Sequence, residues 1–177
     1  MTHALSNGIH LNIRRSASDE DLRACAKMMA RTSPWSRLFF SEAQCMANLS
    51  GPLITVHLAV SPAGERLGFL ATLPTGLGSE PLLEYLCVDE TRRNSGVGTC
   101  LIAYFEEQMY ADAANVYLFV SDINPDAARL YERLGYKRIG VLPDYNIVGQ
   151  TEFLYRKYRR PRQERAQRLV GRGSKDR

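Results

Sequence analysis

The spacing of apolar residues changes abruptly after Val88, and this change constrains the fold more than any other feature of the sequence. Three strand-like apolar runs come before it, separated by short turns that contain Gly or Pro. After it, Val97, Leu101 and Phe105 recur at helical spacing, in a helix predicted to reach Ala111. A meander of strands therefore leads directly into a helix. The three predicted strands are Ile54–Val60, Leu67–Leu73 and Leu82–Val88.

Signals on both sides of this junction extend the pattern. Ser18 is a candidate N-cap for a first helix, and Asn124 followed by Pro125 is a strong start signal for a later helix, which Gly135 is expected to end. The order of elements combines antiparallel hairpins with one βαβ crossover, so we predict a mixed α/β (α+β) fold. The other predicted elements are helices at Asp19–Arg31 and Ser41–Leu49, strands at Val116–Val120, Tyr136–Val141 and Glu152–Tyr158, and a loop that opens at Leu142.

Length and charge indicate one domain with a basic end. A chain of 177 residues is long enough to bury a single core. The net charge is +4, and residues 159–177 alone hold eight Lys/Arg and two Asp/Glu. We expect one domain over residues 1–158 and a disordered, solvated tail over residues 159–177, because the tail lacks apolar periodicity. Binding of nucleic acid by this tail is the less favoured interpretation.

Membrane and metal functions find little support in the sequence. The most apolar stretch, Gly51–Val60, is far too short to cross a bilayer, and the N-terminus lacks the pattern of a secretory signal. We therefore expect a cytoplasmic protein. The four cysteines form no CxxC pair and, with the three histidines, give no zinc-ligand spacing. Buried, reduced thiols and no bound metal are the prediction.

The turn at Arg93–Gly98, between the third strand and the helix, is the main candidate for ligand binding. Its glycines allow the backbone to approach a ligand, and the free amides at a helix start favour an anionic phosphate. Arg92 and Arg93 add guanidinium charge suited to phosphate. The segment lacks the third glycine of a dinucleotide fingerprint, and the sequence contains no GxxxxGK[ST] loop. A turn that only joins two elements remains an alternative for the two glycines.

This turn resembles the signature of the GNAT superfamily of N-acetyltransferases, Arg/Gln-x-x-Gly-x-Gly/Ala between the fourth strand and the following helix. The similarity continues in Leu86–Asp89 before the turn and in Asn124–Tyr136 after the next strand. It spans the chain from about Leu11 to Lys157. The resemblance implies a twisted, mostly antiparallel sheet of about six or seven strands with a βαβ crossover, flanked by about four helices.

The same resemblance implies acetyl-CoA as the co-substrate. In the family, amides of the turn bind the pyrophosphate, and the strand that ends here at Val88 pairs with the pantetheine arm where the sheet splays apart. Asn124 matches a family residue near the pantetheine, and Tyr131 matches the tyrosine near the sulfur. The implied cofactor-binding residues are Leu86, Cys87, Val88, Arg93, Asn94, Ser95, Gly96, Val97, Gly98, Thr99, Asn124 and Tyr131.

Direct attack of an amine on a thioester passes through a tetrahedral intermediate and needs an acid for the departing thiolate. Tyr131 is the predicted general acid, since a phenol with a pKa of about 10 can protonate a thiolate whose thiol has a pKa near 8.5. The alternative is a core tyrosine that packs beside Leu130 and Leu134. A backbone amide near Cys87 or Val88 is the oxyanion donor that the resemblance implies.

The general base is less clearly indicated. Glu84 is the best candidate, because strand periodicity places it on the same face as Val88, where it would draw a proton from the amine through a water. A solvated carboxylate, or one that orients the substrate, is an equal alternative. The weaker candidates near the same end of the sheet are Asp122, Asp144, Tyr145 and Glu152.

The sequence leaves several functions open. The predicted activity is an acyltransferase that acetylates a primary amine of a small molecule or peptide. The alternative from another class is a non-catalytic module that binds acyl-CoA and uses the basic tail to bind RNA or a protein partner. A larger acyl group or a hydroxyl acceptor is a second enzymatic alternative, because the turn recognises phosphate and not the acyl group. We expect a monomer or a homodimer.

Overall fold

The computed structural model describes residues 2–4, 10–16, 18–111 and 113–159, and for residues 2–4 only the backbone. The basic tail that we predict lies outside these residues except for Arg159, and so does the N-terminal segment that bears on the signal prediction, apart from its short described stretches. The described part of the chain forms one sheet with helices on both faces.

The sheet contains eight strands in the order β1-β2-β3-β4-β5-β6-β8-β7. All neighbouring strands are antiparallel except β5 and β6, which are parallel and are connected by a crossover through α3. The strands are β1 (Thr2–Ala4), β2 (His10–Arg15), β3 (Thr55–Val60), β4 (Arg66–Leu77), β5 (Glu80–Val88), β6 (Asn115–Ser121), β7 (Lys137–Pro143) and β8 (Thr151–Tyr158). The helices are α1 (Asp19–Arg31), α2 (Glu42–Leu49), α3 (Val97–Met109) and α4 (Pro125–Arg133).

This architecture confirms the predicted mixed α/β class, the mostly antiparallel sheet, the crossover and the four helices. Two differences have physical causes. No strand is predicted before α1, because β2 has only two buried apolar positions, Leu11 and Ile13, and β1 is three residues long. The loop predicted to open at Leu142 begins two residues later, at Asp144, because β7 continues to pair with β8 through Pro143.

Local signals in the sequence set the helix ends. The Ser18 side chain accepts a hydrogen bond from the Asp21 amide at the start of α1. Ser41 and Gln44 form a capping box at the start of α2. Gly135 follows the end of α4 with φ of 89°, a left-handed conformation that glycine adopts without strain. These three ends agree with the prediction.

The two faces of the sheet bury separate apolar clusters. Leu58 and Phe69 belong to the cluster under α1 and α2, whereas their strand neighbours Ala59 and Leu70 belong to the cluster under α3 and α4. This alternation follows from the period of two in a strand. Cys25, Cys45 and Cys87 are buried in the first cluster, and all four cysteines are free thiols, as predicted.

A buried carboxylate joins α1 to the sheet. Asp21 is 3% exposed and accepts two hydrogen bonds from the Arg14 guanidinium of β2, at 2.6 and 2.9 Å. Arg66 of β4 lies on the same carboxylate, with its Nη2 3.2 Å from Oδ1. Two arginines thus neutralise one buried charge, which fixes α1 against two strands.

Candidate functional site

The parallel pairing of β5 and β6 is short, and the two strands separate where it ends. Only Leu82 with Tyr117 and Leu83 with Leu118 are in register. Beyond Leu83, the part of β5 up to Val88 pairs with β4 on one side but with no described residue of β6 on the other. The main-chain groups along that edge are therefore available to an extended ligand, which binds such an edge as an added strand would.

The predicted cofactor residues on β5 lie in this separated part. Leu86 and Val88 are half-buried and pack against the cluster under α3 and α4. Cys87 points to the opposite face and is 1% exposed, and burial raises the pKa of its thiol to about 12. A buried neutral thiol is a packing group, so any binding contribution from Cys87 comes from its backbone.

A compact turn leads from β5 into α3. Asp89 accepts hydrogen bonds from the Thr91 amide at 2.9 Å and from the Thr91 hydroxyl at 2.6 Å, and these bonds lower the pKa of its carboxyl. Asn94 and Gly96 have positive φ angles of 58° and 89°. Because φ near +90° strains any residue with a Cβ, Gly96 is required by the shape of the turn itself.

The first turn of α3 presents unpaired amides. The first helical hydrogen bond runs from the Cys100 amide to the Gly96 carbonyl at 3.0 Å, and no side chain caps the helix. The amides of Val97, Gly98 and Thr99 precede that bond, so they have no partner within the helix. Together with the helix dipole they form an anion-binding site.

Packing within the protein does not explain the second glycine of the turn. A Cβ on Gly98 would lie 3.5 Å from Val88 Cγ2 and 3.9 Å from Leu130 Cδ2, which are ordinary contacts. The residue is helical and has no positive φ. The fold therefore does not require a glycine at this position. The absence of a side chain instead allows a ligand to approach the backbone closely.

The two arginines of the turn have different surroundings. Arg92 forms an ion pair with Glu65, with Nη2 2.8 and 3.0 Å from the carboxylate oxygens. Arg93 is exposed, and its Nη2 donates a hydrogen bond to the Ser33 carbonyl at 3.2 Å. Arg93 is thus the guanidinium of the two that is not already paired with a carboxylate.

Helix α4 brings Asn124 and Tyr131 to the same side of the sheet. Asn124 caps the helix by accepting a hydrogen bond from the Ala127 amide at 3.4 Å. Tyr131 is 6% exposed, and its ring contacts Tyr136 edge-on at a centroid distance of 5.6 Å. Burial raises the pKa of the Tyr131 hydroxyl, which keeps it protonated at neutral pH.

Glu84 lies at the point where β5 and β6 separate. Leu83 pairs with Thr72 and Tyr85 pairs with Ala71, so Glu84 is the extra residue of a β-bulge. The strict alternation assumed from the sequence therefore does not hold across Glu84. The side chain is half-buried, and burial raises the pKa of its carboxyl, opposed by a hydrogen bond with Tyr85.

The side chains opposite β5 come from β6, β8 and the loop between β7 and β8. Phe119 of β6 stacks on Tyr145 of the loop, with ring centroids 5.2 Å apart and an angle of 25° between the planes. Glu152 of β8 is 8% exposed and pairs in register with Ser121 of β6. Tyr145 and Glu152 are among the residues predicted from the sequence, whereas Phe119 is not. Its position on the face of β6 opposite the buried residues is a signal that could have identified it.

Two of the weaker base candidates are engaged elsewhere. Asp122 is exposed, and its Oδ2 accepts a hydrogen bond from the Thr151 amide at 3.2 Å. Asp144 is exposed, and its Oδ1 accepts one from the Gly149 amide at 2.6 Å. Both carboxylates fix the loop between β7 and β8.

Two kinds of feature are absent from the residues that the structure describes. No group of three or more His, Cys, Asp or Glu side chains in this part of the chain is arranged to hold a metal ion. Within the same residues, every helix is too short or too polar to cross a membrane.

Known proteins are similar to this chain over the elements that form the candidate site. The family model of the acetyltransferase (GNAT) domain matches residues 52–138, which include β5, the turn, α3 and α4. A mycothiol acetyltransferase from Salinispora tropica is 31% identical over 153 residues, which are 81% of this chain and 49% of that protein. The chain thus spans about half the length of this curated relative.

Solved structures share the fold. An aminoglycoside 6'-N-acetyltransferase complexed with coenzyme A has a TM-score of 0.69 and 22% identity, covering 85% of this chain and 98% of that chain. The ribosomal-protein-S18-alanine N-acetyltransferase from Escherichia coli has a TM-score of 0.68 and 20% identity, covering 84% of this chain and 93% of that chain. At these identities the similarity concerns the fold.

Proposed function

The chain belongs to the GNAT superfamily of acyltransferases, and from this premise we propose that it transfers the acetyl group of acetyl-CoA to a primary amine. The observation that carries the proposal is the uncapped start of α3 beside the unpaired edge of β5. The free amides at the start of α3 suit a diphosphate, and the adjoining edge of β5 suits an arm that carries amide groups. A ligand with both parts fits this site.

The residues of the turn and of β5 fit coenzyme A. The amides of Val97, Gly98 and Thr99 would hold the pyrophosphate, and the exposed guanidinium of Arg93 would add charge. The edge of β5 up to Val88 would pair with the pantetheine arm, close to Asn124. When bound, acetyl-CoA supplies an acetyl group activated as a thioester.

Tyr131 is the proposed general acid. Its raised pKa means that the hydroxyl holds its proton at neutral pH, so it is available to a thiolate but unsuited to act as a base. Its burial in the core also supports a packing role beside Tyr136, and the experiment below separates the two roles.

Glu84 is the proposed general base. A raised pKa makes its carboxylate a stronger proton acceptor than an exposed glutamate, and its position on the bulge places it where β5 and β6 separate. A backbone amide near Cys87 or Val88 would stabilise the oxyanion. Glu84 and Tyr131 thus divide the two proton transfers, one from the amine and one to the departing thiolate, while the backbone amide transfers no proton.

The acceptor is an amine of a small molecule or of a peptide. The similar solved structures include one named for an aminoglycoside and one named for an alanine of a ribosomal protein, so the fold accommodates both kinds of acceptor. The acceptor would lie beside Phe119 and Tyr145, on the side of the cleft that does not hold the cofactor.

Release of free thiol from acetyl-CoA tests the proposal, with a panel of alkylamines, polyamines, aminoglycosides and peptide N-termini. We expect turnover with at least one amine. Tyr131→Phe should lower kcat by roughly 10²- to 10⁴-fold while leaving coenzyme A affinity unchanged.

The matched control removes residues 160–177 and should retain activity. Coenzyme A binding without turnover on any amine would reject the enzyme and favour a non-catalytic binding module. An unchanged kcat in Tyr131→Phe would instead assign that residue to packing.

A further inference from the structure

Glu152 is a buried carboxylate that the proposed reaction does not use. Glu152 is 8% exposed. In the described part of the chain, no Lys or Arg forms an ion pair with it. Burial raises the pKa of its carboxyl, and the nearby charge of Asp122 raises it further. A buried charge without a cation costs stability, so a fold retains one only where something compensates.

Polar and aromatic side chains surround this carboxylate. The neutral side chains of Asn146 and Ser121 partly oppose the rise in its pKa but supply no positive charge. Phe119 lies two residues before Ser121 and therefore on the same face of β6. Tyr145, one residue before Asn146, covers Phe119 by stacking. Aromatic faces next to an acidic oxygen suit a cation, because both attract positive charge.

Glu152 lies one strand away from the opening between β5 and β6. Pairing of β5 with β6 ends at Leu118, so Phe119 and Ser121 border the opening on the β6 side. Glu152 lies opposite Ser121 on the next strand, one strand spacing of about 4.8 Å away. A molecule whose amine reacts in the opening can therefore extend a second group toward Glu152.

We propose that Glu152 binds a second, protonated ammonium group of the acceptor, so that the preferred acceptors are diamines, polyamines or amino sugars rather than monoamines. This inference rests on the proposed function. The reacting amine is neutral, whereas the bound one keeps its charge and forms a charge-assisted hydrogen bond with the carboxylate. The second ammonium thus supplies the cation that no described Lys or Arg provides.

The test compares α,ω-diamines from 1,3-diaminopropane to 1,6-diaminohexane with the monoamines of the same chain lengths. In the wild-type protein, kcat/KM should be at least about tenfold higher for one of the diamines than for its matched monoamine. Glu152→Gln should remove this difference by raising the KM of the diamine, with little change for the monoamine. Each amine has the same pKa in solution whichever protein is assayed. Differences in amine basicity therefore cannot explain a diamine preference that differs between the wild type and Glu152→Gln.

Two controls complete the experiment. Glu107→Gln removes the same charge from an exposed position on α3 and should keep the diamine preference. Coenzyme A affinity, measured by calorimetry, should be the same in all three proteins and reports that Glu152→Gln is folded.

The possible outcomes separate the two claims. A diamine preference that is absent in the wild type, or unchanged in Glu152→Gln, would overturn the inference and leave the proposed function intact. A similar fall in kcat for monoamines and diamines would make Glu152 a general base instead. Absence of turnover with every amine would overturn the proposed function, and this inference with it.

Discussion

On the β5 side of the cleft, the groups assigned to the ligand are main-chain amides, whereas on the β6–β8 side they are side chains from separate segments. The first set comes from one continuous stretch, from Leu86 to Thr99. The second set combines Phe119, Tyr145 and Glu152. A chain can therefore keep its cofactor site through a short motif while its acceptor site changes by single substitutions.

The two buried carboxylates of the described residues differ in the same way. Asp21 is 3% exposed and lies between Arg14 and Arg66, so its charge is neutralised within the fold. Glu152 is 8% exposed, and no described Lys or Arg forms an ion pair with it. The first carboxylate is explained by structure, and the second requires an explanation from function.

The largest expected effect is the difference in stability between variants of the two buried carboxylates, Asp21 and Glu152. Asp21→Asn leaves two arginines facing a neutral amide and should lower the free energy of unfolding by about 2–4 kcal/mol. Glu152→Gln removes an unneutralised charge and should leave the free energy of unfolding unchanged or raise it. Urea denaturation at pH 7 with both variants measures the difference.

The stability of the protein should depend on pH through the carboxyl of Glu152. Burial in the folded state raises the pKa of the Glu152 carboxyl, so the folded state favours the protonated form. Above that raised pKa the ionised carboxylate lowers the free energy of unfolding. The stability penalty should shrink as the pH falls through the raised pKa, and Glu152→Gln should not show this trend. A strong loss of stability in Glu152→Gln at pH 7 would mean that the carboxylate is neutralised within the protein after all.

An intermediate effect is expected at Glu84. Glu84→Gln should lower kcat/KM by about 100-fold, at the lower end of the range for a positioned base, because Glu84 takes the proton through a water. In the wild type, activity should fall as the pH falls through the raised pKa of Glu84, since the base must be deprotonated. A pH–rate profile of the variant that kept the same acidic limb would assign that limb to another group.

The smallest effect is expected at the side chain of Arg93. Arg93→Ala should weaken coenzyme A binding by only about three- to tenfold, because an exposed guanidinium adds little to a site made of main-chain amides. Arg92→Ala is a poor substitute, since it breaks the ion pair with Glu65. A loss of more than about 100-fold in Arg93→Ala would mean that the side chain, and not the backbone, dominates binding.

Much of the fold and one side of the site could be predicted from the sequence. The junction after Val88, the cap at Asn124 and the end at Gly135 are local signals, because each depends on the conformation of a few adjacent residues. The resemblance to a known family adds the mostly antiparallel sheet and the place where its strands splay apart.

The rest depends on distant parts of the chain. The bulge at Glu84 exists only in the register with β4, so the period of two within β5 does not reveal it. The stack of Phe119 on Tyr145 joins a strand to a loop that starts more than 20 residues later, and no local pattern links them. Strand β2 is recognisable as a strand through its pairing with β1 and β3 rather than from its own sequence.

The central claim is that the free amides at the start of α3 bind the pyrophosphate of coenzyme A, and calorimetry of coenzyme A with three proteins tests it most directly. The wild type should bind. Gly98→Ala should fold normally, since its Cβ meets only ordinary contacts within the protein, but it should bind about three- to tenfold more weakly, because that Cβ narrows the approach of the ligand to the backbone. Gly98→Glu places a carboxylate at the anion site and should weaken binding by at least about 100-fold, with circular dichroism showing an intact fold. Equal coenzyme A affinity for folded Gly98→Glu and the wild type would contradict the account.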